Sequence, residues 1–421
     1  MYNRFWTKCT TAKRQKKENV DRMSNLPDSI LAHILSFLTT KEALQTSLLA
    51  KRYQNLWAFV PVVDLDFDDF LLSGEEVEEG SCKQEEKFVK FINGVFEHRE
   101  PLTLESFNLV WDGDNSDPTP TTAWLDTVAK LKPKFLSVDI STEKDKIEVP
   151  DSVFTSELLQ QLVLELSFET ISPRSVKLPC LKRLILKYIY FEDEILEKLS
   201  SGSPAIEEMV IHDCIWNSGC ISSGTLKHLV LKDCQDGTIS FLDILICIPS
   251  LEFLEVYSCL VMWKIKFKDM TPLVGAQIHF EKLSDEEPLF LTGLTNVKSF
   301  ELVLSVSAMM AMKNLLEKKA TNFPTFDNLR SLKIGGWSIT RDFDLVARFL
   351  LHAPNLKKLT LLHNEELEIS KGNIEMSLQL GDNLDIVEII YKKDDISASE
   401  LVKSVETHFK IIREANIIYS E

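Results

Sequence analysis

The amino-acid sequence predicts an α/β fold in which a small N-terminal helical module precedes a solenoid with a parallel sheet on its concave side. Three observations support this prediction: a short apolar pattern returns in phase along most of the chain, a different, helical pattern fills residues 23–63, and no apolar run is long enough to cross a membrane. Units that cannot bury their apolar face alone must stack on one another, and stacking produces a solenoid.

The clearest repeats lie between Ile206 and Cys259. Each of the three copies has apolar residues at positions 1, 4 and 6 and a cysteine at position 9, namely Cys214, Cys234 and Cys259. This is the spacing of a leucine-rich repeat. In a strand, positions 4 and 6 point to one side and positions 3, 5 and 7 to the other. We therefore expect positions 4 and 6 in the core and positions 3, 5 and 7 on the concave surface.

The same pattern extends in both directions and predicts a solenoid over residues 101–364. Further copies begin at Leu104, Phe135, Leu159, Leu181, Leu273, Val297, Leu329 and Leu356. Most steps are about 20 to 27 residues, near the usual repeat length, and we expect the two longer ones to hold loops or longer helices. Residues 62–67 alternate between apolar and acidic side chains, which predicts an edge strand that caps the solenoid.

Composition restricts the possible functions. The formal net charge is -17, which argues against a general nucleic-acid or anionic-membrane binder. Eight cysteines without a secretory signal indicate a reduced, intracellular setting, in the nucleus, the cytoplasm or both. The position-9 cysteines are explained by their place in the repeat, where a small polar side chain can satisfy backbone groups at a turn. We expect neither a disulfide nor a metal there.

The N-terminal part divides into a basic tail, residues 1–22, which we expect to be disordered, and a helical module, residues 23–63. Proline follows Leu26 at an expected first helical position, and apolar residues continue at helical spacing to Leu38. A capping box at Thr39–Glu42 starts a second helix that is predicted to extend to Leu48, and a third short helix holds Leu56 and Trp57. So small a module is expected to leave apolar surface for a partner.

These residues resemble a known family. The stretch from Met23 to Ala43, with Lys51-Arg52-Tyr53 and Trp57 after it, resembles the F-box of plant F-box/leucine-rich-repeat proteins. In that family the F-box docks on a Skp-type adaptor, which joins a cullin in an SCF-type ubiquitin ligase. By matching position, the resemblance assigns the adaptor-facing surface or its immediate support to Leu26, Pro27, Ile30, Leu31, Ile34 and Leu35. Tyr53 replaces the tryptophan usual in the family.

Two segments flank the repeats. Residues 64–100 form an acidic linker and a capping helix: we expect a mobile loop over 74–83 and a helix over 85–98 with Phe88 and Ile92 inward. Residues 365–421 form a repeat-like region that follows a segment similar to the start of the FBD region of the same family. Within it, Ser399–Arg413 is predicted to be helical, and Ala415–Tyr419 to be a last strand or a tail.

No catalytic, metal or cofactor site is predicted. The chain lacks the glycine-rich phosphate loops, the nucleophile elbow, the paired zinc-binding histidines and any Cys-x-x-Cys pair. Asp112–Asp117 suggests a calcium loop, but Ala123 stands where the twelfth ligand of an EF-hand should be glutamate, so a polar loop is favoured. We expect a chain that binds other proteins rather than an enzyme.

The target site is predicted at outward positions 3, 5 and 7 of the central repeats. These are Glu208, Val210, His212, His228, Val230, Lys232, Phe253, Glu255 and Tyr257. Phe253 and Tyr257 are the favoured anchors because interface energy concentrates in such rings; the alternative is that they cover each other or an adjoining loop. Two functions remain open: the substrate receptor of a ubiquitin ligase, or an interaction protein or inhibitor that recruits no ligase. A small-molecule co-ligand also stays possible.

Overall fold

A computed structural model of the chain describes residues 25–71, 77–100, 102–112, 121–141, 147–192, 194–216, 219–236, 243–258, 264–268, 270, 272–281, 290–318, 323–337, 343–363, 384–392 and 414–420. The chain forms two compact units, residues 1–60 and residues 61–421. The basic tail, the Asp112–Asp117 loop beyond its first residue, Cys259 and the helix expected at Ser399–Arg413 lie outside the described residues.

The first unit is built from short helices. It contains α1 (Asp28–Leu35), α2 (Thr40–Gln45) and three 3-10 turns at Thr46–Leu48, Lys51–Tyr53 and Leu56–Phe59. Pro27 lies immediately before α1 with an extended ψ of 149°, one position earlier than expected. The predicted capping box is confirmed: the Thr39 hydroxyl accepts the Glu42 N–H at 3.3 Å, and Glu42 Oε2 accepts the Thr39 N–H at 3.1 Å. These two bonds satisfy N–H groups that a helix start leaves free.

The helices of the second unit connect the strands. They are α3 (Val77–His98), α4 (Thr121–Lys130), α5 (Ile195–Gly202), α6 (Phe290–Gly293), α7 (Val306–Lys318) and α8 (Phe343–His352). Phe88 and Ile92 of α3 are fully buried, as predicted. The mobile loop expected over 74–83 is wrong from Val77 onward, because α3 begins there. An acidic sequence suits a helix start, since carboxylates favour the positive end of the helix dipole.

A large parallel sheet forms most of the second unit. Its strands, with those of a small second sheet, are β1 (Val62–Asp66), β2 (Ser106–Asp112), β3 (Phe135–Ser141), β4 (Gln161–Ile171), β5 (Arg183–Phe191), β6 (Glu208–His212), β7 (Ile215–Trp216), β8 (Gly219–Ser222), β9 (His228–Lys232), β10 (Gln235–Asp236), β11 (Asp243–Cys247), β12 (Phe253–Tyr257), β13 (Lys264–Lys268), β14 (Gly275–Phe280), β15 (Ser299–Leu304), β16 (Ser331–Trp337), β17 (Lys358–His363), β18 (Ile386–Lys392) and β19 (Glu414–Ser420).

The strand order confirms the stacked-repeat prediction. The main path runs β1-β2-β3-β4-β5-β6-β9-β12-β14-β15-β16-β17-β18-β19, so each repeat pairs with the next repeat along the chain. The short strands β7 and β10 extend this sheet beside β5, while β13, β11 and β8 form a separate three-stranded sheet. β1 is an edge strand, as expected, and the C-terminal residues around Ile417 form the last strand rather than a tail.

Alternation along each strand separates a core face from an open face. Leu184 and Leu186 of β5, at positions 4 and 6, are fully buried, and the corresponding Met209 and Ile211 of β6 are fully buried too. The residues at positions 3, 5 and 7 of these two strands stay partly accessible. We call the surface formed by positions 3, 5 and 7 of the main sheet the open face; in a leucine-rich-repeat solenoid it is the concave side.

One repeat was placed in the wrong frame. The sequence pattern puts Phe135 at position 1, but Phe135 pairs with Gln161, a position-3 residue, and is exposed on the open face. Leu136 and Val138 occupy positions 4 and 6 instead. The error arises because side chains alternate with a period of two, so Val138 and Ile140 are buried in either frame. Only the first residue of the pattern distinguishes the two frames.

A left-handed turn at position 8 ends the core strand in consecutive repeats. Tyr188, Asp213, Asp233 and Ser258 have φ between 47° and 51°. In three of them the N–H bonds to the position-7 carbonyl of the next repeat, as from Asp213 to Lys232 at 2.9 Å and from Asp233 to Tyr257 at 2.9 Å. Aspartate tolerates this conformation better than most residues. The turn therefore starts one residue before the cysteine.

A long connection between repeats holds a helix, as predicted: α7 lies between β15 and β16. Gly-Ser-Pro at the end of α5 and His-Ala-Pro at the end of α8 stop these helices before the next strand. Among the described residues, no helix is both long and apolar enough to span a bilayer.

Candidate functional site

The open face arranges its side chains in three rows that run across the strands. In the central repeats, the pairing of β6, β9 and β12 defines these rows. Position 3 holds Glu208, His228 and Phe253; position 5 holds Val210, Val230 and Glu255; and position 7 holds His212, Lys232 and Tyr257. Neighbouring strands lie about 4.8 Å apart, so the nine side chains form one continuous surface. Their predicted outward direction is thus observed; their role in binding a target stays a prediction.

The two aromatic anchors contact their neighbours on this face. The Phe253 ring remains 47% exposed. It meets His228 edge to face at 6.2 Å between ring centres. A Cβ added to Gly275 would lie 3.0 Å from Phe253 Cδ1, so the ring rests over a position that has no side chain. A side chain at Gly275 would push the ring away from the sheet.

Tyr257 is held more firmly than Phe253. Its hydroxyl donates to Glu255 Oε2 at 3.0 Å and also contacts Gln277 Oε1, and its ring packs edge to face on His279 at 4.6 Å. Burial, followed by the hydrogen bond to the Glu255 carboxylate, raises the pKa of Tyr257 to about 12. The alternative weighed for the two rings, that they cover adjoining groups, therefore describes Tyr257 better than Phe253.

Charged residues on the open face are paired across strands. Arg183 contacts Glu208 at 3.0 Å, and Lys187 contacts Glu165 at 2.8 Å. This Glu165 hydrogen bond raises the pKa of Lys187. Such half-exposed pairs add little stability, typically about 0–1 kcal/mol each. Because of these ion pairs, few charged side chains in the central part of the face lack an oppositely charged neighbour.

An apolar row lies between these charged rows and was only partly anticipated. Position 5 of four consecutive strands holds Val163, Ile185, Val210 and Val230, all half-buried. Val163 and Ile185 were not predicted as target residues, although their in-phase position-5 spacing in the sequence could have revealed them. The ion pair Lys187–Glu165 borders the row on one side, and Arg183–Glu208 borders it on the other. The arrangement can bind aliphatic side chains without leaving a buried charge unpaired.

A depression opens farther along the same face. It has a volume of about 370 Å³ and extends from β12 across β14, β15, β16 and β17 to β18, with Glu255 among its lining residues. Position 3 of β12, β14, β15 and β16 is occupied by Phe253, Gly275, Ser299 and Ser331, so three small residues in succession lower the floor beside the aromatic ring. We call this depression the β12–β16 pocket, after the four strands that form its floor. Its volume lies at the low end of the range for ligand pockets.

Acids and bases also pair along the far side of this pocket. Glu301 binds Lys333 at 2.8 Å and His279 at 3.3 Å, and these contacts, the histidine hydrogen bond first, lower the pKa of Glu301. Glu388 binds Lys358 at 2.9 Å. Glu255 differs, because its described partners are His228 at 2.8 Å and the Tyr257 hydroxyl, with no lysine or arginine. Glu255 is thus the carboxylate in the pocket that is most available to a cation.

In the N-terminal unit, the six residues assigned to adaptor binding divide into core and surface. Leu31 and Leu35 are buried inside the module, where they support the surface. Pro27 and Ile30 are exposed, and Leu26 and Ile34 are half-buried. Burial therefore separates supporting residues from residues that a partner could touch.

Other exposed apolar residues of this module were missed. Phe37, Leu48 and Leu49 are 77%, 85% and 78% exposed. Leu48 was expected on the second helix, but α2 ends at Gln45 and a 3-10 turn carries Leu48 outward. An uninterrupted helical pattern hides this change of helix type, which explains the miss.

The arginine of the Lys51-Arg52 pair has an identifiable structural role. The Arg52 guanidinium binds Asp28 Oδ1 at 2.8 Å and also donates to the Leu26 carbonyl. These bonds join the segment before α1 to the 3-10 turn at Lys51–Tyr53. Arg52 thus fixes the conformation of the Leu26-Pro27-Asp28 segment, although an ion pair this exposed stabilises the fold little.

The position-9 cysteines that the structure describes are buried free thiols. Cys214 Sγ lies 3.3 Å from the His212 carbonyl and 3.5 Å from the Leu186 carbonyl, and Cys234 Sγ lies 3.2 Å from the Lys232 carbonyl and 3.3 Å from the Ile211 carbonyl. The single S–H of each thiol is therefore within hydrogen-bond reach of one carbonyl of its own repeat and one of the preceding repeat. Burial raises the pKa of Cys214 to about 12.

One group of side chains has the composition of a metal site. His212, Asp213 and Asp233 place their ligand atoms within 4.8 Å of one another. These groups already contact each other, with His212 Nε2 at 3.1 Å from Asp213 and 3.4 Å from Asp233, and Lys232 approaches Asp233 at 3.9 Å. A nearby ammonium opposes a second cation, so the cluster is well explained as an ion-pair network.

Comparison with known protein families identifies both units. An F-box domain model matches residues 23–63. A model described as the leucine-rich repeats of the FBD-associated F-box protein At5g56370 matches residues 121–269. The first match covers the helical module, and the second covers the strands that carry the predicted target residues.

Whole proteins of similar sequence occur in Arabidopsis thaliana. The F-box/LRR-repeat protein At4g14103 is 31% identical over 369 residues, which cover 80% of this chain and 91% of that protein. The FBD-associated F-box protein At1g60410 is 28% identical over 83% of this chain and 85% of its own length. The F-box/FBD/LRR-repeat protein At1g78750 is 27% identical over 81% and 77%.

Proposed function

Because this chain belongs to the plant F-box/leucine-rich-repeat proteins, we propose that it is the substrate-receptor subunit of an SCF-type ubiquitin ligase. In this role the F-box binds a Skp-type adaptor and, through it, a cullin, while the open face of the sheet binds the target protein. The chain itself is a non-catalytic subunit of this complex. A function as a receptor in general follows from family membership; the ligase partners and the target region are the proposal.

The observation that carries the proposal is the exposed apolar surface of the F-box unit. Ile30, Phe37, Leu48, Leu49 and Phe59 are all large and exposed in the part of this unit that the structure describes, residues 25–60. Exposed apolar side chains in such number on a small unit mark a protein interaction surface. Pro27 and Ile30, which the family resemblance assigns to adaptor binding, are part of the same exposed set.

The second support is the open face of the repeats. It combines an apolar row, bordering ion pairs and the β12–β16 pocket, which together provide the apolar centre and polar rim that protein interfaces use. Holding the target in the same complex as a ubiquitin-loaded enzyme raises the effective concentration of target lysines. The function proposed for this chain is therefore positional. We further propose that it acts in the nucleus, the cytoplasm or both, which imaging of a fluorescent fusion would test.

Binding of a purified Skp-type adaptor tests the proposal. The double variant Leu26→Ala with Pro27→Ala should lose adaptor binding while circular dichroism and thermal unfolding of the repeats stay unchanged. Leu351→Ala, which alters an exposed leucine of α8, serves as the control and should bind normally. Normal adaptor binding by the double variant, with the fold intact, would favour the rival function of an interaction protein or inhibitor that recruits no ligase.

A further inference from the structure

We propose that the β12–β16 pocket receives an arginine side chain of the target, so that the receptor recognises a basic segment. This inference rests on the proposed target-binding function of the open face and specifies its chemistry. The guanidinium would stack on the Phe253 ring, bind the Glu255 carboxylate and donate to hydroxyls on the pocket floor.

The first element of the pocket is an aromatic wall. Phe253 is 47% exposed although it lies on a sheet face, because Gly275 lets its ring rest beside the backbone of the next strand. The edge of the ring contacts His228, which fixes its orientation. A positioned, accessible ring attracts a planar cation through its π-electrons, an interaction worth about 0.5–1 kcal/mol when exposed and more when desolvated.

The second element is a carboxylate beside that ring. Glu255 lies two residues after Phe253 on β12, so both side chains point to the open face. Its described partners are a histidine and a phenol, whereas Glu301 and Glu388 each bind a lysine. The ring and the least compensated carboxylate of the pocket are therefore neighbours, and a guanidinium can satisfy both at once.

The third element is a polar floor. Ser299 and Ser331 follow Gly275 in register on the next two strands, at position 3. Neither hydroxyl has a hydrogen-bond partner among the described residues. A guanidinium has five N–H donors in a fixed plane, so donors remain for these hydroxyls after one edge binds Glu255.

Other side chains fit this set of groups less well. A lysine ammonium is a point charge that can bind Glu255 but cannot stack as a plane on Phe253 at the same time. An aliphatic side chain would remove the carboxylate and the hydroxyls from water without giving them partners, which costs free energy. An acidic side chain would face Glu255 directly. The combination of ring, carboxylate and hydroxyls thus selects arginine.

Charge over the wider face agrees with a basic partner. Carboxylates outnumber lysines and arginines at positions 3, 5 and 7 from β1 to β18: the acids are Asp64, Asp66, Asp139, Glu165, Glu208, Glu255, Glu301 and Glu388, and the bases are Arg183, Lys187, Lys232, Lys333 and Lys358. The whole chain carries a formal net charge of -17. Such a field favours the approach of a basic segment.

The test selects short random peptides from a display library on the purified full chain. Selected peptides should contain an arginine whose replacement by lysine weakens binding by about tenfold or more. Glu255→Gln and Phe253→Ala should each weaken the same peptides by a similar factor, and Ser299→Leu, which fills the floor, should abolish their binding.

Matched variants separate the pocket from general effects. Glu105→Gln changes an ion-paired, half-exposed carboxylate that lies outside the open face, and Phe168→Ala removes another ring, 48% exposed, outside the pocket. Both should bind the peptides like the unmodified chain. If no arginine-dependent peptide is selected, or if such peptides bind Glu255→Gln, Phe253→Ala and Ser299→Leu normally, the proposal is wrong.

Adaptor binding, measured on the same preparations, distinguishes this inference from the proposed function. All pocket variants should bind a Skp-type adaptor normally. If the unmodified chain does not bind the adaptor, the ligase role is contradicted but the arginine pocket is not. If the chain binds the adaptor normally and no arginine-dependent peptide is selected, only the pocket proposal is contradicted.

Discussion

At the scale of single residues, the cysteines illustrate how a repeat position dictates chemistry. Cys214 and Cys234 lie at position 9, immediately after the left-handed turn, and each lies within hydrogen-bond reach of carbonyls of two repeats. Both side chains are fully buried, and burial raises the pKa of Cys214 to about 12, so its thiol form is strongly favoured over the thiolate. Cys180, in contrast, is exposed.

This contrast predicts a pattern of thiol reactivity. In the folded protein near pH 8, Cys180 should react with a thiol reagent, whereas Cys214 and Cys234 should react only after denaturation, because the thiolate is the nucleophile and they are inaccessible. Mass spectrometry of the labelled peptides measures both states. Recovery of Cys214 and Cys234 as a disulfide from an intracellular preparation would contradict the structural role.

A substitution tests the same role by stability. Cys234→Ala removes a buried thiol and its contacts with two carbonyls, and it should lower the free energy of unfolding by roughly 1 kcal/mol or more. Chemical denaturation measures the change, and Cys180→Ala provides the exposed control. Equal stability of the two variants would show that the buried thiol contributes nothing specific.

Tyr257 gives a prediction in the alkaline range. Its pKa is raised to about 12 in the folded protein, so the phenol keeps its proton longer there than in the unfolded chain, where tyrosine titrates near 10. Its contribution to stability is therefore fully present below pH about 10 and is lost as pH rises toward 12.

Absorbance of the phenolate measures this titration. The pH titration of phenolate absorbance, measured on the unmodified chain and on Tyr257→Phe, should differ by one tyrosine that titrates near pH 12. Glu255→Gln should move the titration of this tyrosine to lower pH. A difference curve centred at the ordinary tyrosine pKa would mean that the contact between Tyr257 and Glu255 is not formed.

At the scale of elements, the sequence predicted the repeats best where three in-phase copies reinforced one another. Met209, Leu229 and Leu254 all lie in the core as expected. The prediction failed for the repeat in β3, whose frame depended on a single residue, Phe135. Alternation of buried and exposed side chains fits two frames that differ by two positions, so alternation alone could not choose between them. The end of α2 was missed for a related reason, since a 3-10 turn continues the apolar spacing with another geometry and exposes Leu48.

The corrected frame can be tested directly. Leu136→Ala should lower the free energy of unfolding by about 2–5 kcal/mol, because it empties a buried position-4 site. Phe135→Ala, its immediate neighbour, should change it by less than about 1 kcal/mol, because Phe135 lies on the open face. Denaturant titration of both variants decides the frame, and the opposite order of effects would restore the one inferred from the sequence.

The sequence predicted which face the side chains of the candidate site point to, but not the contacts that they make with neighbouring repeats. Period-two alternation placed Phe253, Glu255 and Tyr257 on the open face, and the structure agrees. The pairing of Glu255 with His228 and the small floor at Gly275 depend on contacts between residues more than 20 positions apart. Register between repeats decides such contacts, and loop lengths that vary from repeat to repeat obscure it in the sequence.

At the scale of the whole molecule, the two units expose different kinds of surface. The F-box unit presents large, exposed apolar side chains such as Leu48 and Leu49, whereas the repeat unit presents paired charges around an apolar row. The first suits a partner that buries apolar area permanently, and the second suits selective recognition with a polar rim. A receptor that joins one constant partner to one selected target requires this difference.

Affinity capture of the tagged full chain from plant cells tests the central claim most directly. A Skp-type adaptor and a cullin should co-purify with the unmodified chain in comparable amounts, and both should be absent from the captures of Leu26→Ala with Pro27→Ala, while Leu351→Ala retains them. Capture of the unmodified, folded chain without adaptor and cullin, or their equal recovery with the double variant, would contradict the account.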